Sequence, residues 1–167
     1  MSSSHAAYDI GKVRSHFPAL KEGAAHFDGP GGTQTPDVVA HAVADTLMAA
    51  VANRGVVTAA ERRAEEVVAA CRTALGDLLG SDPGGIIVGR SATQITYDLS
   101  RALAKQWGPG DEVVVSRLDH DSNVRPWVQA AQAVGATVRW AVFDPETGEQ
   151  TTADFEAVIG DRTRLVA

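Results

Sequence analysis

The amino-acid sequence predicts an α/β protein with a mostly parallel β-sheet and flanking helices. Two features of the 167 residues carry this prediction. Short apolar segments alternate with longer segments whose apolar residues recur at helical spacing. The short segments are apolar throughout, which is typical of strands that are covered on both faces. Strands and helices that alternate in this way form right-handed β-α-β connections, and 44% hydrophobic residues are enough for a core.

The N-terminal half predicts a polar arm and two helices. The arm, residues 1–35, holds one short helical segment and a glycine-rich loop, HFDGPGGTQTP. Thr35 is a suitable N-cap for the first of the two helices, and Pro36 is a suitable first helical residue. Thr58 and Glu61 have the spacing of a capping box, which predicts the start of a long second helix.

The C-terminal half alternates between strands and helices. Helical segments separate four apolar segments that we expect to be strands: GIIVG at 85–89, DEVVVS at 111–116, ATVRWAVFD at 136–144 and TRLVA at 163–167. The sequence ends inside the last of these segments. Because domains usually end in exposed segments, we expect the chain to be the first part of a longer protein.

Composition and charge argue against several classes of function. A net charge of −6 without a Lys/Arg cluster disfavours nucleic acid or an anionic membrane as a partner. No apolar run reaches the roughly 20 residues of a membrane span, and the N-terminus lacks the apolar segment of a secretory signal. We therefore expect a soluble, cytoplasmic protein. Cys71 is the only cysteine, which excludes an intrachain disulfide, and its apolar neighbours predict that it is buried.

The loop after the first predicted strand has features of a phosphate site. In open parallel sheets, ligands bind beyond the carboxyl ends of the strands. Ser91 and Thr93 offer hydroxyl groups there, and the first-turn N–H groups of the next helix carry positive partial charge. The glycine and lysine spacing of a Walker loop or a dinucleotide-binding motif is absent. A helix that Ser91 caps without any ligand explains the same residues equally well.

The loop after the second predicted strand places His120 between two aspartates. An imidazole can stack on a flat ring, exchange a proton near neutral pH or ligate a metal. A metal site is disfavoured because no second histidine lies at ligand spacing. A structural histidine in the turn is an alternative, but the position at the end of a strand favours a functional His120 beside a bound ligand. Pro126 and Trp127 are typical of a packed helix start.

Four segments, in this order, resemble segments of the class V aminotransferase-type pyridoxal-phosphate enzymes, the group that contains the cysteine desulfurases. HFDGPGGTQTP is similar to the family's LDNAATT segment, GRSATQIT to its phosphate loop, LDHDSNVRPW to EHHSNIVPW, and DRTRLVA to TRLVAVTHVSN. The resemblance implies part of the large domain of the aspartate-aminotransferase-type fold (fold type I), with pyridoxal 5'-phosphate as cofactor. It also implies that Ala92 and Thr93 hold the cofactor phosphate and that His120 is a catalytic residue that stacks on the pyridine ring.

The resemblance further implies a homodimer that acts on an amino acid, cysteine being one candidate. It divides the chain into an arm, residues 1–35, and an incomplete cofactor-binding domain, residues 36–167. Asp121 stands where the family has a second histidine, which argues against true cysteine desulfuration. The family's cofactor-binding lysine and aspartate, its arginine and its cysteine nucleophile correspond to positions beyond residue 167, so we expect this segment alone to be inactive. The alternative is a non-catalytic α/β module that binds a phosphorylated small molecule.

Overall fold

The computed structural model describes residues 8–167, which form two compact units: one extends to Gly84 and the other from Gly85 to Ala167. The first unit is helical. The second contains a three-stranded sheet and its helices. In chain order, the elements are α1 (Ile10–Ser15), α2 (Asp37–Met48), α3 (Ala59–Leu79), α4 (Ala92–Leu103), β1 (Glu112–Ser116), α5 (Arg125–Ala133), β2 (Thr137–Ala141), α6 (Thr152–Glu156) and β3 (Thr163–Val166).

The helix ends of the first unit follow from local hydrogen bonds. The predicted capping box at the start of α3 is confirmed: the Thr58 hydroxyl accepts from the Glu61 N–H at 3.2 Å, and the Glu61 carboxylate accepts from the Thr58 N–H at 3.0 Å. The predicted start of α2 is wrong by one residue. Pro36 occupies the N-cap position, and the Asp37 carboxylate rather than the Thr35 hydroxyl accepts from the Val38 N–H, at 2.7 Å.

Cys71 is exposed, so the prediction that it is buried is wrong. It lies on α3, and Gly76 is the one buried residue that this helix has in the described part of the chain. Apolar neighbours in sequence therefore do not place Cys71 in a core, because the helix face that carries it is not covered within its own unit. Among residues 8–167, no helix has both the length and the apolar character that crossing a bilayer requires.

The second unit is built on a parallel sheet with strand order β2-β1-β3. This order confirms the predicted α/β class. The central strand β1 is buried over its whole length, whereas β2 and β3 alternate between exposed and partly buried residues, except for the buried Ala141 at the end of β2. Val113 and Val115 form the core with Trp127 and Ala131 of α5 and with Ala136. The prediction of strands buried on both faces thus holds for β1, the central strand, and not for the edge strands β2 and β3.

One of the four predicted strands is wrong. Residues Ile86–Val88 form no strand in the described structure, and the side chains of Ile87 and Val88 are mostly exposed. A β-strand exists only where a neighbouring strand accepts and donates its backbone hydrogen bonds. Neither edge strand of the described sheet pairs with this segment. The apolar composition of the segment does not show whether a neighbouring strand is present, so it could not predict this outcome.

Candidate functional site

The predicted phosphate loop leads into the first turn of α4. Ser91 is the N-cap, as the sequence indicates: its backbone is extended, and its hydroxyl accepts from the Gln94 N–H at 3.2 Å. The Ser91 carbonyl accepts from the Ile95 N–H at 3.1 Å, which is the first helical hydrogen bond. The cap therefore satisfies Gln94 and leaves the two preceding N–H groups, those of Ala92 and Thr93, pointing out of the helix end.

The first turn of α4 suits an anion. The N–H groups of Ala92 and Thr93 have no hydrogen-bond partner within residues 8–167. No acidic residue lies in this turn, so no carboxylate of the turn itself offsets the positive end of the helix dipole. The exposed Thr93 hydroxyl adds a neutral donor beside these groups. This donor set fits a phosphate, and the 12-residue helix behind it is long enough for an aligned dipole.

Close packing sets the backbone path into this turn. A Cβ atom on Gly89 would lie 2.7 Å from Ile95 Cγ1 and 3.1 Å from Ile95 Cδ1. The backbone at residue 89 therefore lies directly against the Ile95 side chain of α4. This close approach requires glycine, because any Cβ atom would clash. Ile87, Val88 and Ile95 line a groove of about 270 Å³ at this contact.

His120 follows β1 and begins the 3-10 turn Asp121–Asn123. Its imidazole is exposed, and Nδ1 lies 2.8 Å from the Ser122 hydroxyl and accepts from the Ser122 N–H at 3.1 Å. The imidazole thus acts as the N-cap of the turn, a role that the sequence analysis did not assign to it. The Asp121 carboxylate, which stands at the position of the family's second histidine, accepts from Arg125 Nε at 2.7 Å.

Packing within the second unit brings the two predicted loops to neighbouring elements. Helix α4, which carries Ala92 and Thr93 at its first turn, lies against α5 and against the 3-10 turn that follows His120. The Arg125–Asp121 hydrogen bond at the start of α5 raises the pKa of the Arg125 guanidinium, which keeps a fixed positive charge there. The arrangement therefore places a helix end with free N–H donors and an exposed imidazole on elements in contact.

A polar chain of contacts behind His120 was missed by the sequence analysis. Trp127 Nε1 donates to Asn123 Oδ1 at 2.9 Å, and Asn123 Nδ2 donates to Asp119 Oδ2 at 2.7 Å. The signal was present, because Asp119, Asn123 and Trp127 are spaced by four residues, the spacing of side chains that meet on one face of a helical turn. The expectation that Trp127 is packed is confirmed by its 5% exposure.

The carboxyl ends of the strands hold a second polar residue that the sequence did not indicate. Gln150 Nε2 donates to the carbonyl oxygens of Ala141 and Val142, both at 3.0 Å, and Gln150 Oε1 accepts from the Ser116 hydroxyl at 2.7 Å. Gln150 therefore ties the end of β1 to the end of β2. A groove of about 250 Å³ lies at this edge, lined by Ser116, Leu118, Asp119, Gln150, Phe155 and Ala167.

The parallel sheet with flanking helices in the second unit is the architecture that the resemblance implied for part of a fold type I domain. The chain belongs to the aminotransferase class-V family, whose profile matches residues 25–167. The fold is shared with a cysteine desulfurase from Thermococcus onnurineus, whose apo structure superimposes with a TM-score of 0.84 at 21% identity over 96% of this chain and 40% of that one.

Curated relatives agree with the family. The chain is 41% identical over 161 residues to an uncharacterized protein of Mycobacterium tuberculosis, covering 96% of this chain and 40% of the relative. It is 31% identical over 176 residues to a probable cysteine desulfurase of Mycolicibacterium paratuberculosis, covering 98% of this chain and 25% of the relative. The chain thus spans less than half the length of either relative.

Proposed function

We propose that this chain forms part of the pyridoxal 5'-phosphate site of an enzyme that acts on an amino acid, cysteine being one candidate substrate. The observation that carries the proposal is the uncompensated first turn of α4, which lies on a helix in contact with the turn that follows His120. When bound, this cofactor supplies an electron sink for carbanion chemistry on amino acids. The family and the desulfurase relatives support the choice of cofactor and substrate class.

Each residue of the proposed site has a separate task. The N–H groups of Ala92 and Thr93 and the Thr93 hydroxyl bind the phosphate at the positive end of α4. The His120 imidazole covers one face of the cofactor ring by stacking, and its ring nitrogens can donate or accept a proton. The two tasks need different chemistry, so they can be tested one at a time.

We propose that residues 1–167 bind the cofactor but do not turn over substrate. The three lysines, Lys12, Lys21 and Lys105, are all exposed, and none lies in a segment that resembles the family's lysine motif. Cys71 is likewise outside any nucleophile motif. We further propose, from the family resemblance, a cytoplasmic homodimer for the whole protein, with residues 1–35 as an arm and 36–167 as part of the cofactor-binding domain.

Backbone NMR of the chain tests the phosphate site. The probe is pyridoxine 5'-phosphate, which has an alcohol in place of the aldehyde and therefore cannot react with the exposed lysines. We expect it to shift the amide signals of Ala92 and Thr93 together with the ring signals of His120. Pyridoxine without the phosphate should shift the α4 amides much less. Equal shifts with inorganic phosphate or a sugar phosphate at the same concentration would instead support the phosphate-binding module without a cofactor.

Thr93→Asp provides a variant in which folding and binding change in opposite directions. A carboxylate in the first turn stabilises the helix by about 0.3–1 kcal/mol. At about 4 Å from a bound phosphate, it repels that group by roughly 4 kcal/mol before salt screening. We expect Thr93→Asp to weaken binding about tenfold or more while Thr93→Asn, the neutral variant of the same shape, binds nearly as the wild type. Unchanged binding by Thr93→Asp would refute the phosphate site.

A further inference from the structure

The hydrogen bonds around His120 determine which ring nitrogen carries its proton. We infer that the neutral ring of His120 is held as the Nε2–H tautomer, and that Asn123 is the positioning residue that ties this turn to the buried Trp127. The inference deepens the proposed function, because it states what the imidazole presents to a ligand. The tautomer itself, however, follows from contacts within the chain and does not depend on any cofactor.

The proton position follows from donor and acceptor chemistry. A backbone N–H can only donate a hydrogen bond, and the Ser122 N–H points at His120 Nδ1 from 3.1 Å. Nδ1 must therefore offer its lone pair, and the neutral ring carries its proton on Nε2. The Ser122 hydroxyl, 2.8 Å from Nδ1, can then only donate to the same nitrogen. Within residues 8–167, Nε2 has no hydrogen-bond partner, so Nε2–H is the donor that the exposed ring has free.

The orientation of the Asn123 amide follows from its two neighbours in the same way. The Trp127 indole N–H is only a donor, so the group it meets at 2.9 Å is the amide oxygen of Asn123. The Asp119 carboxylate is only an acceptor when ionised, so the group it meets at 2.7 Å is the amide NH₂. The Asn123 amide thus accepts from a donor on one side and donates to an acceptor on the other.

The same contacts connect His120 to the hydrophobic core. Trp127 is packed with Val113 and Val115 and is 5% exposed, so its indole position is set by the core. The Asn123 amide in turn fixes the Asp119 carboxylate through a hydrogen bond. The second oxygen of that carboxylate accepts from the His120 backbone N–H at 2.6 Å. The backbone of an exposed residue is thereby held by a buried one, as a precise functional group requires.

Imidazole NMR on chain labelled with ¹⁵N-histidine tests the tautomer. Two-bond couplings distinguish the protonated from the unprotonated nitrogen, and His120→Gln assigns the signals among the five histidines. We expect Nδ1 of neutral His120 to be unprotonated in the wild type. A ring with its proton on Nδ1, or with both tautomers equally populated, would overturn the inference.

Two substitutions of Asn123 separate its hydrogen bonds. Asn123→Ala removes both, so the Trp127 indole N–H should exchange with solvent roughly fivefold faster and the His120 tautomers should mix. Asn123→Asp keeps an oxygen for the indole but sets a carboxylate against Asp119, so indole protection should persist while the His120 tautomers mix. Gln129→Ala, at an exposed position on α5, the helix that carries Trp127, is the control and should change neither signal.

The outcomes distinguish this inference from the proposed function. His120 signals that are the same in Asn123→Asp and in the wild type would show that positioning does not run through Asp119 and would overturn the role of Asn123. If the tautomer and the Asn123 effects appear as expected but pyridoxine 5'-phosphate does not bind, the positioning chain stands and the cofactor proposal fails.

Discussion

Gly89→Ala tests how the chain enters the candidate phosphate site. The added Cβ would lie 2.7 Å from Ile95 Cγ1, whereas carbon atoms in good contact are roughly 3.5–4.0 Å apart. One of the two atoms must therefore move by about 1 Å. Cγ1 is not the end of the side chain, so a small swing of the terminal methyl does not relieve the clash. Either Ile95 changes rotamer or the backbone before Ser91 moves away from α4.

The expected cost is that of overpacking. Ile95 is partly buried in the groove with Ile87 and Val88, so a new rotamer loses contacts there. Inserting a methyl group into a packed site typically costs about 1–3 kcal/mol, and we expect Gly89→Ala to fall in this range. Gly85→Ala is the matched control, because a Cβ at Gly85 meets no atom within 4 Å and needs no special backbone angle.

A double-mutant cycle identifies the clash as the cause. Ile95→Ala removes Cγ1 and Cδ1, so adding Gly89→Ala to it should cost little. We expect the double variant to be less destabilised than the sum of the single variants by about 1 kcal/mol or more. Urea unfolding of the four proteins measures this coupling. Additive effects, or a Gly89→Ala variant no less stable than Gly85→Ala, would show that Gly89 is not required for the close approach to α4.

Two further substitutions test packing in the first unit and charge in the second. Gly76→Ala improves helix propensity by about 1 kcal/mol, but its Cβ would lie 2.8 Å from the Ser81 carbonyl oxygen, so we expect net destabilisation by about 1–2 kcal/mol in urea unfolding; a stabilised variant would contradict this. The Arg164 guanidinium, and then the Gly108 N–H, hold the pKa of Asp111 below its usual value of 3.8, so the stability it contributes is present above that value and lost as the pH falls through the lower folded pKa. The stability difference between wild type and Asp111→Asn should therefore be largest at about pH 7 and shrink towards about pH 3, and a constant difference would refute the ion pair as its source.

Local signals in the sequence predicted local structure well. The capping box of Thr58 and Glu61 and the cap at Ser91 both form, because each depends on side chains that reach backbone groups three residues away. Thr35 does not cap the helix because the Asp37 carboxylate accepts from the Val38 N–H at 2.7 Å, and the Asp37 N–H donates to the backbone carbonyl oxygen of His16 at 2.8 Å. That histidine lies far away in sequence, and propensity at residues 35 and 36 contains no information about it.

Signals that require a distant partner were less reliable. Val113–Val115 became a buried strand because β2 and β3 flank it, whereas Ile86–Val88, equally apolar, has no strand beside it in the described structure. At the candidate site, the sequence located His120 at the end of a strand but did not give its hydrogen bonds. The partners of Nδ1 depend on the turn that Asp121–Asn123 adopts, and composition does not determine that turn.

The two sides of the candidate site differ in how firmly the described residues hold them. The His120 side is connected through Asn123 to Trp127 in the core and follows β1, the most buried strand. The α4 end is preceded by the segment Ile86–Val88, which pairs with no strand among residues 8–167, and is held by the Ser91 cap and the Gly89 contact. When a ligand binds both sides, we therefore expect the protein to become more ordered mainly at the α4 end. Substitutions there report on ligand binding most directly, whereas those around Asn123 report on how the protein itself holds its imidazole.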